Sequence, residues 1–254
     1  MSITRRGAHV ATRQSVERGK PASYGQEVTR RRARIVARLL TLAGRRVLDF
    51  GCGNGAQTAE LAPLGADITA CDIDGGDVAL FREYIQRAGI SHVRAVAYDG
   101  GALPFGDASF DAVVSFAVLE HVRDERAALR EIARVLRPGG DLVLSVPNKW
   151  WVFETHGARL PLLPWNRVPF FSWLPPSIHA RFAMARIYRR GGIVRLLAEE
   201  GFVITGASYM TAPLDMVRWP PLRAVMAALI FRGDTTAIPF LATEIFVSCR
   251  KPAA

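Results

Sequence analysis

Val47-Leu48-Asp49-Phe50-Gly51-Cys52-Gly53-Asn54-Gly55 decides the fold. Residues of strand character run into three glycines within five positions, and Ala56-Gln57-Thr58-Ala59-Glu60-Leu61 follows with helical character. Glycine reaches positive φ and lets backbone come within contact distance of a ligand, so a strand that turns through glycines into a helix reads as a nucleotide-type cradle. Gly51-x-Gly53-x-x-Ala56 also fits the dinucleotide fingerprint, so the turn alone does not choose among adenosine-containing cofactors. Asp49 tips the balance. A carboxylate facing the cradle repels a pyrophosphate and suits a ligand carrying an ammonium and a sulfonium. The competing reading is a ligand-free turn with Asp49 as a buried cap.

Outward from this turn the pattern repeats. Strands are expected at residues 45–50, 67–72, 92–98, 110–115 and 141–147, with helices at 56–64, 78–88 and 124–136 between them. Gly89 ends the second of these helices, and Arg137-Pro138-Gly139-Gly140 stops the third. Either Asp74 or Asp77 caps the 78–88 helix. Further on come a helix at 187–200, a strand at 202–210, an apolar helix at 222–231 and a last strand at 243–249. Alternating strand and helix predicts an α/β fold with a doubly wound, mostly parallel, seven-stranded sheet. Asp49, Asp72 and Asp99 stand at the carboxyl ends of three successive strands, the edge where ligands sit in such sheets. Asp72 is placed to accept from ribose hydroxyls, and Asp99 from an exocyclic adenine amine.

The regularity breaks at 148–186, an insert dense in Trp and Phe and interrupted by prolines, which forbid one long helix. It reads as a lid, or as an apolar acceptor mouth or interfacial membrane contact in which Arg159, Arg167 and Arg181 meet headgroups. A second insert is expected at 211–241, before the last strand.

The chain has 254 residues and a net charge of +10. Residues 1–46 hold twelve Lys/Arg against Glu17 and Glu27, so the remainder is neutral overall. Residues 1–25 read as a flexible basic arm, and 26–254 as one domain. A basic arm on a neutral body is weaker evidence for nucleic acid than a basic face on the domain itself. Residues 26–43 have the spacing of an amphipathic helix whose arginines form a solvated face or meet an anionic membrane or RNA. Three scattered cysteines support neither a disulfide framework nor a thiolate metal site, and no metal is expected. The expected location is cytoplasmic, with peripheral membrane contact as an option.

Taken together, the 47–55 stretch, Asp72, Asp99 before Leu103-Pro104-Phe105, Ser109-Phe110-Asp111, Leu119-Glu120-His121-Val122 and Leu136-Arg137-Pro138-Gly139-Gly140 resemble the class I S-adenosylmethionine-dependent methyltransferases. The resembling group is the type-11 small-molecule branch that includes the ubiquinone and menaquinone methyltransferases. The resemblance implies the Rossmann-like methyltransferase fold with S-adenosyl-L-methionine as cofactor. It places Asp49, Gly51, Gly53 and Gly55 at the methionine moiety, Asp72 at the ribose, Asp99 and Gly100 at the adenine, and Ser115 and Phe116 at the methionine end, with Ile73 a further cofactor-binding residue. It covers residues 45–147 and implies little about the acceptor, which the aromatic insert makes small and lipid-like. Ser115-Phe116-Ala117-Val118 replaces the Asn/Asp-Pro-Pro-aromatic run of amino methyltransferases, and no Pro-Cys nucleophile is present. His121, His156 and His179 are the candidate general bases for a hydroxyl acceptor, His121 and His156 first among them. An RNA methyltransferase using the basic arm and a nicotinamide oxidoreductase are the alternatives. The oligomeric state is not assigned.

Overall fold

The computed structural model describes residues 27–153, 169–214, 217 and 219–253. Eight strands form one sheet: β1 Arg46–Phe50, β2 Asp67–Asp72, β3 Val93–Ala97, β4 Phe110–Phe116, β5 Leu136–Pro147, β6 Val203–Thr211, β7 Thr235–Thr236 and β8 Ala242–Arg250. Their order is β3-β2-β1-β4-β5-β8-β6-β7. Strands β1 to β5 pair in parallel, and β8 runs antiparallel to both β5 and β6. The expected seven strands become eight because Thr235–Thr236, inside the second insert, pairs with Tyr209 and Met210 at the sheet edge. Two residues show too little alternation to be read as a strand.

Helices α1 Glu27–Leu39, α2 Ala56–Leu61 and α3 Gly75–Ala88 bury Val36, Leu61 and Phe81 against one face of the sheet. Helices α4 Glu125–Val135 and α6 Arg190–Glu199 bury Leu129, Ile132, Ile193 and Leu197 against the other. The result is three layers wound on both sides, as expected from the sequence. Helix α5 Pro176–Phe182 lies in the first insert and α7 Pro220–Leu229 in the second. The 78–88 helix starts earlier than expected, because the Asp74 carboxylate accepts from the amides of Gly76 and Asp77. Asp74, not Asp77, is therefore its cap.

Arg137-Pro138-Gly139-Gly140 does more than stop a helix. Strand β5 begins at Leu136 and runs through it, with a register shift opposite Phe110 and Ala112. Gly139 takes φ 73° and its amide donates to the Lys251 carbonyl, while the Lys251 ammonium caps the carbonyls of Ala133 and Leu136 at the end of α4. A partner more than a hundred residues away turns a helix stop into strand, which no local pattern reveals.

The arginine face of α1 is partly solvated, as the sequence allowed, with Arg30, Arg34 and Arg38 exposed, but it is also paired. Arg34 and Arg38 donate to the Asp234 carboxylate at 2.7 and 2.6 Å, with Arg31 3.5 Å away. Arg32 forks onto Glu244 at 3.0 and 2.5 Å, and Arg30 stands 3.6 Å from Glu60. These cations staple the first helix to the second insert and to β8. Residues 1–25, the expected basic arm, lie outside the described residues.

Candidate functional site

The sheet order puts β3, β2, β1 and β4 side by side, so the strand-end acids fall along one rim. Their burial falls moving outward. Asp49, inside β1, is 2% exposed; Asp72, the last residue of β2, is half-buried; Asp99, two residues past β3, is exposed. Asp49 accepts from the Thr58 hydroxyl at 2.6 Å. Burial pushes the Asp49 carboxyl up to about 6; the Thr58 hydrogen bond opposes this, the nearby Asp72 charge adds to it, and Arg32 lowers it. Asp72 holds the cradle: its Oδ2 accepts from the Gly53 amide at 2.7 Å and its Oδ1 from the Asp74 amide at 2.9 Å. Asp99 closes its own turn by accepting from Gly101 N at 2.9 Å.

The three glycines serve different ends. Gly55, at φ 79°, lies under the ring of Phe81, and Gly51, at φ 80°, lies under Val118, so a Cβ at either would enter a packed side chain. A Cβ on Gly53 would meet nothing within 4 Å, and only its φ of 53° favours glycine there. Ile73 is 66% exposed, and its side chain stands 3.5 Å from where a Gly100 Cβ would be. It offers bare apolar surface next to Asp72.

At the end of β4 the two candidates part. The buried Ser115 hydroxyl donates to the Phe50 carbonyl at 3.0 Å, tying β4 to β1. The Phe116 ring lies 5.6 Å below the Arg32 guanidinium and packs on Phe246. Ala117 then adopts φ 56°, a strained value for a residue with a Cβ, and hands the chain to Val118 over Gly51. His121 sits in the exposed turn that follows, with its amide on the Val118 carbonyl. His156 lies outside the described residues. The Cys52 thiol is buried and its pKa is pushed up by that burial, so it is no nucleophile. No cluster of three or more His, Cys, Asp or Glu with metal-binding geometry occurs among the described residues.

Several contributors escaped the sequence reading. Arg32 sits over Phe116 and is held by Glu244, more than two hundred residues away. Arg186 donates to the carbonyls of Val122 and Arg123, fixing the first insert to the turn that carries His121. Lys149 is buried, its ammonium held by the carbonyls of Ser172 and Leu174, and burial, with the Arg189 charge, lowers its pKa. Thr58 alone had a local signal, because it stands on the helix directly after the cradle.

Comparison with known proteins agrees with this geometry. A family model described as "Methyltransferase domain" matches residues 48–144. The demethylmenaquinone methyltransferase of Corynebacterium efficiens is 43% identical over 124 residues, 48% of this chain and 50% of that protein. A Mycobacterium tuberculosis protein named "Probable S-adenosylmethionine-dependent methyltransferase" is 31% identical over 195 residues, 75% of this chain and 68% of its own. The crystal structure of an S-adenosylmethionine-dependent methyltransferase from Mesorhizobium loti superposes with a TM-score of 0.61 at 19% identity, covering 89% of this chain and all of that one, and so shares the fold. The chain spans about half the length of the Corynebacterium relatives it matches.

Proposed function

The chain belongs to the class I S-adenosylmethionine-dependent methyltransferases, and from that premise we propose that it methylates a small, hydrophobic or lipid-like acceptor at oxygen or carbon. When bound, S-adenosyl-L-methionine supplies an electrophilic methyl on a sulfonium, which leaves as a neutral thioether. The observation that carries the reading is Asp49: a carboxylate buried in the cradle, its pKa raised by desolvation, is a charge in want of a cation. Asp49 would take the ammonium end and Asp72 the ribose hydroxyls, each Asp72 oxygen retaining a lone pair beyond its backbone bond. The exposed Ile73 with Gly100 would face the flat purine, and Asp99 its amine. No developing anion needs stabilising at the leaving group, so the work of these residues is alignment and exclusion of water.

For the acceptor, the α1 face offers Phe116, the Arg32–Glu244 pair above it, and Ser145 on β5, which is buried with no partner for its hydroxyl among the described residues. That mixture of ring and few polar groups suits an aromatic or isoprenoid-like molecule better than a polyanion. The names of relatives acting on demethylmenaquinone and in ubiquinone biosynthesis lend support. His121 and His156 stay candidate bases for a hydroxyl acceptor.

The test is incubation of the purified protein with methyl-labelled cofactor and acceptors of graded apolarity, read by mass spectrometry. Label is expected in the organic-extractable fraction. Label in RNA would transfer the assignment to a nucleic-acid substrate, and absence of S-adenosylhomocysteine would end the enzymatic reading. Calorimetry gives the cofactor half: Asp72→Ala should weaken S-adenosylhomocysteine by about 2 kcal/mol, because ribose hydroxyls lose a charged acceptor and the Gly53 amide its anchor. Unchanged affinity would put the ribose elsewhere.

A further inference from the structure

Ten of the fifteen large hydrophobic side chains exposed among the described residues lie in the two inserts. Helix α7 is the extreme case. Its sequence, Pro-Pro-Leu-Arg-Ala-Val-Met-Ala-Ala-Leu, is apolar on nearly every side, yet none of its residues is buried. A helix apolar all round belongs in a protein core or in lipid, and α7 is in neither. It is nevertheless held in place, because Asp234 just beyond it is gripped by Arg34 and Arg38 of α1. Trp219 at its start is 63% exposed and Leu229 at its end 66%.

We propose that α7 is a docking element that lies in the headgroup layer of an anionic bilayer. Charge selects the occupant. Among the described residues of the first insert, Arg181 and Arg186 are exposed and no acid is present. Around α7, Arg223 and Arg232 are exposed, whereas the nearby acid Asp234 is consumed by its arginine partners. Asp234 is the one acid among the described residues of the two inserts, so their exposed charge is cationic. The Trp173 and Trp150 rings gather on Phe240 at 5.5 and 5.8 Å, joining the first insert to the second with aromatic surface suited to an interface. With 10 residues α7 is far too short to span, so it lies flat. A second copy of the chain is the poorer occupant, since it would bring the same arginines against each other.

The test is flotation of the full chain with vesicles of phosphatidylcholine, alone or mixed with phosphatidylglycerol. Wild type should float with the mixed vesicles. Leu222→Asp/Val225→Asp/Leu229→Asp should lower the partition coefficient about tenfold or more, and Arg223→Glu about fivefold on the anionic vesicles only. Calorimetry with S-adenosylhomocysteine on the same variants should be unchanged, which separates loss of docking from loss of the methyltransferase site. Wild type that stays in solution with both vesicles, or equal partition of the triple variant, overturns the proposal. So does a concentration-dependent dimer in sedimentation that the triple variant abolishes, which would assign α7 to a second copy.

Discussion

Residues 45–147 and the two inserts, 148–186 and 211–241, use the same kinds of side chain in opposite ways. The first region buries its apolar residues on both faces of a parallel sheet and draws a carboxylate, Asp49, into the interior beside a glycine turn. Among their described residues, the inserts leave Phe170, Trp173, Trp219, Leu222 and Phe240 exposed, with Arg181, Arg223 and Arg232 exposed in the same stretches. The family model matches the first region and stops at residue 144. A cradle for one cofactor has one workable chemistry, whereas a surface that meets an acceptor or a membrane can be built in many ways. The second insert is nonetheless fastened to the first region through α1, which packs on that region's core and grips Asp234 with Arg34 and Arg38.

The contrast breaks most sharply at Gly55. An alanine there meets the Phe81 ring at a backbone angle alanine resists, and Gly55→Ala should cost about 3 kcal/mol in urea unfolding. Gly53→Ala meets no neighbour and should cost about 1 kcal/mol. Equal costs would mean that the turn's glycines answer only to backbone angle, not to packing against α3.

Asp49 tests whether the first region holds its charge for a ligand. Its folded pKa, about 6, lies above the usual carboxylate value, so the folded state keeps the proton between pH 4 and 6 while the unfolded chain has lost it. Stability therefore falls as pH rises through that window and stays lowered above it. Asp49→Asn, which can still accept from Thr58, should be about 2 kcal/mol more stable than wild type at pH 8 and should bind S-adenosylhomocysteine far more weakly. In wild type, affinity should climb as pH rises through about 6, with proton release visible in buffers of different ionisation enthalpy. A variant that is less stable at pH 8 would show that Asp49 serves the fold.

How much of this was legible in the sequence follows from separation along the chain. The cradle, the strand-end acids and the two-sided winding are local patterns, and the structure places Asp49, Asp72 and Asp99 along neighbouring strands as their spacing implied. Arg32 with Glu244, Arg186 with Val122 and Lys251 with Leu136 join residues between 64 and 212 positions apart, and composition gave no hint of partner. The arginines of α1 illustrate the limit: their 3.6-residue period was plain, but Asp234 that absorbs them lies in a stretch with no pattern of its own.

Asp234 is the next place to separate the regions. Burial would raise its pKa, yet Arg34, with Arg38 and Arg31, holds it below the ordinary carboxylate value. A lowered pKa contributes stability above the unfolded value near 4 and loses it as pH falls through the folded one. Asp234→Ala should cost about 1.5 kcal/mol at pH 7, less than a fully buried pair because Arg34 and Arg38 are partly in water. The gap from wild type should close as pH falls below 4. A gap constant with pH would mean that packing, not charge, fastens α1 to the second insert.

The smallest effect is expected where the inserts differ most from the first region. Val225 and Leu229 are 54% and 66% exposed, so their removal takes little apolar area out of the folded state relative to the unfolded chain. Val225→Ser/Leu229→Ser should change unfolding free energy by less than about 0.5 kcal/mol, where an equal pair of truncations at Leu129 and Ile132 on α4 should cost several kcal/mol. A large loss from the α7 pair would show that the helix is covered by its own chain in solution, and the division between an inward-facing core and outward-facing inserts would fall with it.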